Sequence, residues 1–127
     1  MSTGPQVFVI DDDEAIRDSF KALLKSQGFP VQTFPSAERF LGGYEEWWTG
    51  CLFIDLRMPG MCGREMVQEL LRRGITMPVA IMTGHTNQKS LDWSASDPTA
   101  ILLEKPFSKE RLLEVVRRLM SGLPNRG

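Results

Sequence analysis

The sequence predicts an α/β fold: a five-stranded, parallel, doubly wound sheet with helices on both faces. Three observations predict it. Four short apolar runs, the first of them rich in β-branched residues, and one short mixed run, Val31 to Phe34, are spread along the chain. Stretches of helical periodicity alternate with most of them. Each of the four apolar runs stops at a charged or hydroxyl-bearing residue or just before one. Short continuous apolar runs suit strands covered on both faces, and their alternation with helices is the pattern of βαβ units.

Val7-Phe8-Val9-Ile10 is the first predicted strand and stops at Asp11. Ile16, Phe20, Leu23 and Leu24 then recur at helical spacing, and Gly28 closes that helix as its C′ residue. Val31 to Phe34 is a short second strand. Ser36 caps a short helix carrying Phe40 and Leu41, and Gly42-Gly43 is expected to end it. Cys51-Leu52-Phe53-Ile54 is the third strand and ends at Asp55. Met66, Val67, Leu70 and Leu71 mark a helix stripe closed by Gly74. Pro78 to Met82 is the fourth strand, ending at Thr83, and Ala100 to Leu103 the fifth, ending before Lys105-Pro106. Ser108 caps a last helix with Leu112, Leu113, Val116, Leu119 and Met120 inward. By position Thr86 to Pro98 is a further helix, but Leu91, Trp93 and Ala95 miss helical spacing and its Asn, Ser and Asp residues compete for backbone hydrogen bonds. A short or poorly ordered helix is expected there. One domain over 6–120 and a tail or linker stub over 121–127 complete the division.

Composition narrows the function. The chain has 127 residues, 42% hydrophobic and 24% charged, with net charge -1. That balance calls for neither nucleic acid nor a membrane surface. No apolar run approaches the roughly 18 residues that span a bilayer, and Met1 to Gln6 lacks the layout of a signal peptide, so the cytoplasm is expected. Cys51 reads as a small core residue and Cys62 as a loop residue. Two cysteines and one histidine, His85, make a poor zinc site, and a disulfide is not expected.

Ligands of open parallel sheets bind beyond the carboxyl ends of the strands, so the residues that follow the apolar runs carry the information. They are Asp11-Asp12-Asp13-Glu14 after the first, Asp55 after the third, Thr83 after the fourth and Lys105 after the fifth. Each has an ordinary reading by itself: an acidic helix start, a strand-end Asp, a turn Thr, a loop Lys-Pro. Their joint placement is what points to chemistry. Clustered carboxylates suit Mg²⁺, while an ammonium and a hydroxyl beside them suit a phosphoryl group on an acceptor carboxylate.

Across about residues 6 to 120 the chain resembles the receiver domains of two-component response regulators. The matching pieces are Val9-Ile10-Asp11-Asp12, Asp55-Leu56-Arg57-Met58-Pro59-Gly60, Thr83-Gly84 and Glu104-Lys105-Pro106-Phe107, in that order. The Arg57-Met58-Pro59 and Thr83-Gly84-His85 wording is similar to FixJ-like regulators. The resemblance implies a flavodoxin-like fold of the receiver type and phosphorelay signalling. It implies Asp55 as phosphoacceptor, and Mg²⁺ on Asp11, Asp12, Asp55 and the backbone carbonyl of Arg57. Thr83 and Lys105 would engage the phosphoryl group, and Pro106 would follow a cis bond. Asp13 is expected to start the first helix instead. A sensor histidine kinase would be the phosphodonor and an effector domain or partner protein the recipient, with a phosphorylation-dependent dimer allowed. No nucleic-acid contact by this chain is expected, and no enzymatic turnover beyond its own aspartyl phosphate. One departure stands out: Leu102 occupies a position that is Tyr or Phe in many receivers, so an aromatic rotamer switch is not expected.

Three other functions compete. A haloacid-dehalogenase-type phosphatase needs a second Asp two residues after its nucleophile, where this chain has Arg57. A flavodoxin needs a Ser/Thr/Gly-rich phosphate loop after the first strand, where four acids stand here and would repel phosphate. A receiver-like fold that only binds partners would not need the complete set of polar residues.

Overall fold

A computed structural model describes residues 4–84 and 100–122. The elements in chain order are β1 (Gln6–Ile10), α1 (Glu14–Ser26), β2 (Val31–Phe34), α2 (Ala37–Gly43), β3 (Gly50–Asp55), α3 (Gly63–Arg72), β4 (Val79–Thr83), β5 (Ala100–Glu104) and α4 (Lys109–Ser121). The expected helix over Thr86 to Pro98, with Trp93, lies outside the described residues.

Strands pair in the order β2-β1-β3-β4-β5, all parallel. The register sets Ile10 beside Ile54 and Asp55 beside Met82, so β1, β3 and β4 end close together. β1, β3 and β4 are buried along their whole length, as their apolar runs require. β5, at the sheet edge, is fully buried only at Leu103.

Alternation along each strand divides the interior into two cores. Val7, Val9, Cys51, Phe53, Ala80 and Met82 face α1 and α4, meeting Phe20, Leu24, Leu112, Val115, Val116 and Leu119. Phe8, Ile10, Leu52, Ile54 and Ile81 face α2 and α3, meeting Phe40, Leu41, Met66, Val67 and Leu70. Helices therefore cover both faces. A slip of one residue in any central strand would exchange its two apolar sets. Leu102 packs against the α2/α3 core.

The caps follow the sequence. Asp13 accepts from the amides of Ala15 and Ile16, Ser36 from Arg39, and Ser108 from Arg111. Three expectations fail in detail. Leu71 is 67% exposed, outside the buried stripe of α3, because at about 100° per residue it stands roughly 140° round the helix from Met66. Val115, absent from the expected inward set of α4, is fully buried between Leu112 and Leu119. Gly42 and Gly43 do not end α2 ahead of themselves but form its last turn. Phe40 carries the helix that far by packing against Tyr44 and Trp48, at ring separations of 6.0 and 5.8 Å. Cys62 stands at the N-cap of α3, where its amide donates to Glu65.

Candidate functional site

The site sits where β1, β3 and β4 run out. Asp11 follows β1 directly and is fully buried; Asp55 ends β3 and Thr83 ends β4, both buried. Lys105 follows β5, and its amide donates to the Thr83 carbonyl at 2.7 Å, which ties the two strand ends together. The peptide bond from Lys105 to Pro106 is cis.

Side chains converge from these ends. Carboxylate oxygens of Asp11, Asp12 and Asp55 lie within 4.8 Å of one another. The Lys105 ammonium is 3.1 Å from Asp11 Oδ2 and 3.6 Å from Asp55 Oδ2. Asp11 Oδ1 accepts from the Asp13 amide at 2.9 Å, and Asp55 Oδ1 from the Arg57 amide at 3.2 Å. Each buried carboxylate thus has one oxygen held by backbone and the other turned toward Lys105. Asp12 is exposed at the rim. Asp13 points its oxygen into the start of α1, which removes it from the cluster.

Two buried carboxylates share one lysine with a third, Asp12, at the rim, and the electrostatics show the imbalance. Burial, and then the charge of Asp11, push the Asp55 carboxyl up to about 6 against the opposing pull of Lys105. Burial also acts to lower the Lys105 ammonium, but its hydrogen bond to Asp11 and the charges of Asp55 and Asp11 hold it above its ordinary value. A buried surplus of hard anionic oxygens is the donor chemistry of a divalent cation that keeps several waters, so Mg²⁺ fits the residues present.

Two supporting residues were not legible in the sequence. Arg17, one turn into α1, donates through Nη1 to the Asp11 carbonyl at 2.7 Å. Gly63, the first residue of α3, lies against the Asp55–Leu56 backbone so closely that a Cβ there would stand 2.6 Å from the Asp55 carbonyl oxygen. Neither belongs to a spacing pattern: the first contact depends on how α1 leaves β1, the second on how α3 returns to β3.

Comparison with known proteins identifies the family of the chain. The response regulator receiver domain family matches residues 7–117. The transcriptional regulatory protein FixJ of Azorhizobium caulinodans is 38% identical over 121 residues, covering 95% of this chain and 57% of that protein. FixJ of Bradyrhizobium diazoefficiens is 37% identical over 116 residues, covering 91% of this chain and 57% of that protein. The chain therefore spans a little over half the length of these relatives. A crystal structure of FixJ-N superposes with a TM-score of 0.86 at 31% identity, covering 98% of this chain and 99% of that one. This chain therefore belongs to the response regulator receiver domain family of two-component signalling, and within it is FixJ-like.

Proposed function

We propose that Asp55 accepts a phosphoryl group from the phosphohistidine of a sensor histidine kinase, with Mg²⁺ held by Asp11, Asp12, Asp55 and the carbonyl of Arg57. The observation that carries this reading is the position of Asp55: it ends a central strand, Lys105 lies 3.6 Å from its Oδ2, and two more carboxylates stand within 4.8 Å.

The residues divide the work. An Asp55 carboxylate oxygen forms the bond to phosphorus as the bond from phosphorus to the donor nitrogen breaks, and the electron pair of that bond stays on nitrogen. The product is an acyl phosphate. Lys105, already between Asp11 and Asp55, faces the added negative charge, and the Thr83 hydroxyl donates to a phosphoryl oxygen. Bound Mg²⁺ would offset the repulsion between donor phosphate and carboxylates. The Arg57 amide on Asp55 Oδ1 keeps the carboxylate from rotating. Hydrolysis of the acyl phosphate returns Asp55, and turnover is confined to this residue.

The phosphorylated domain would control an output in an effector segment or partner protein, in the manner of a transcriptional regulator such as FixJ, and would work in the cytoplasm as residues 6–120 of its protein. No described helix is long and apolar enough to cross a membrane. Leu102 stands where many receivers have an aromatic residue, so the signal would leave by a route other than an aromatic rotamer change.

The test is acetyl phosphate with Mg²⁺, read by intact mass. One added phosphoryl group is expected on the wild-type chain and none on Asp55→Asn. Equal labelling of the Asn variant would overturn the assignment.

A further inference from the structure

The loop from Leu56 to Cys62 joins Asp55 to α3 and carries Arg57. Backbone and local groups hold most of its tethers. Leu56 N donates to Met82 O at 2.8 Å, Arg57 N to Asp55 Oδ1 at 3.2 Å, and Cys62 N to Glu65 Oε1 at 3.0 Å. One tether is a side chain from a distant element. Glu38, in the first turn of α2, accepts from the Met61 amide through Oε2 at 3.1 Å.

The loop is shaped to receive that carboxylate. Gly60 has a φ of 75°, and a Cβ there would stand 2.8 Å from Glu38 Oε2. A side chain at Gly60 would crowd the Glu38 carboxylate, and the positive φ there itself favours glycine. The helix does not need Glu38 for its cap, because Ser36 already accepts from the Arg39 amide at 3.1 Å.

We propose that Glu38 is a positioning residue for the phosphoacceptor loop: its hydrogen bond to Met61 holds the loop in the conformation that presents the Arg57 carbonyl to Mg²⁺. This rests on the reading of Asp55, Asp11 and Asp12 as the metal and phosphoryl site. A protein whose binding-competent conformation is only partly populated binds more weakly in proportion. Losing one tether therefore shifts the Mg²⁺ dependence without removing any ligand. The hydrogen bond is exposed, so the expected change is modest, about three- to tenfold in Mg²⁺ affinity.

The experiment compares wild type, Glu38→Ala and Glu38→Gln. Mg²⁺ affinity is measured by calorimetry, amide exchange at Met61 by NMR in metal-free protein, and phosphorylation with acetyl phosphate by intact mass. Glu38→Ala should bind Mg²⁺ about three- to tenfold more weakly and exchange the Met61 amide faster. Glu38→Gln keeps an acceptor oxygen and should restore both. If Glu38 acted only through its charge on the α2 dipole, the Gln variant would fall with the Ala variant, and the proposal would be overturned. Unchanged Mg²⁺ affinity in Glu38→Ala would overturn it too. Failure of the wild-type chain to bind Mg²⁺ or accept phosphate would overturn the underlying reading instead.

Discussion

The two ends of β3 obey opposite rules. At its amino end Gly50 lies against β1, opposite Gln6, and neutral groups make the hydrogen bonds there. The Gln6 amide donates to the Thr49 carbonyl at 2.9 Å, and Gln32 Nε2 donates to Gln6 Oε1 at 3.0 Å. At its carboxyl end Asp55 is buried beside the buried Asp11, with Lys105 shared between them. One end of the strand is built for packing. The other holds like charges that packing alone would never select. The lesson is that stability and function are separated along single strands, with the unfavourable electrostatics kept to the end where ligands bind.

The largest effect that can break this comparison is at the amino end. Gly50 has a φ of 144°, and a Cβ there would stand 1.8 Å from the Gln6 carbonyl oxygen. Both strain and collision oppose a side chain. Gly50→Ala should cost more than about 3 kcal/mol, a fall of roughly 10 °C in melting temperature by calorimetry. A variant that melts within a degree or two of wild type would show that this end is not as tightly set as the contacts state.

A second test separates the acids around β1. Asp12 has an oxygen in the carboxylate cluster, whereas Asp13 spends its oxygen on the Ala15 and Ile16 amides. Asp12→Ala should weaken Mg²⁺ binding by roughly tenfold or more, since a hard cation loses a charged ligand. Asp13→Ala should leave Mg²⁺ binding within about twofold and instead lower stability by about 1 kcal/mol through loss of the cap. Equal losses of metal affinity in a titration would mean that Asp13, too, serves the site.

A smaller effect concerns pH. The folded-state value of Asp55 is raised to about 6, above its unfolded value, by burial and then by Asp11. The metal-free folded state therefore holds this proton more tightly than the unfolded chain. From this group, stability should fall as pH rises from about 4 through about 6, and then level off. Asp55→Asn should remove that slope. Thermal melts of both proteins across this range, without metal, check it; identical profiles would show that Asp55 does not titrate as its surroundings dictate.

The fold was legible because each central strand is a continuous apolar run and each helix repeats at its own period. Three of the described helices also announce their first residue through Asp13, Ser36 or Ser108. Leu71 and Val115 depart from the expected stripes because spacing sets a stripe but not its width; the neighbouring strands decide that. The strand-end residues Asp11, Asp55, Thr83 and Lys105 were legible as a set because a parallel sheet brings every carboxyl end to one edge. Arg17, Glu38 and Gly63 were not. Their contacts depend on where a helix meets a loop, and Glu38 meets Met61 across 23 residues of chain with no periodicity to mark it.

The central claim is that the carboxyl end of β3 is destabilised by its own charges and that metal relieves this. Melting temperatures at pH 7 of wild type and Asp55→Asn, each with chelator and with excess Mg²⁺, test it most directly. Without metal, Asp55→Asn should melt a few degrees above wild type, the shift that about 1 kcal/mol produces in a domain of this size. With Mg²⁺, wild type should gain more than the variant, because binding to the folded state alone stabilises it by mass action. An Asn variant that melts below wild type without metal, or gains as much from Mg²⁺, would contradict the account.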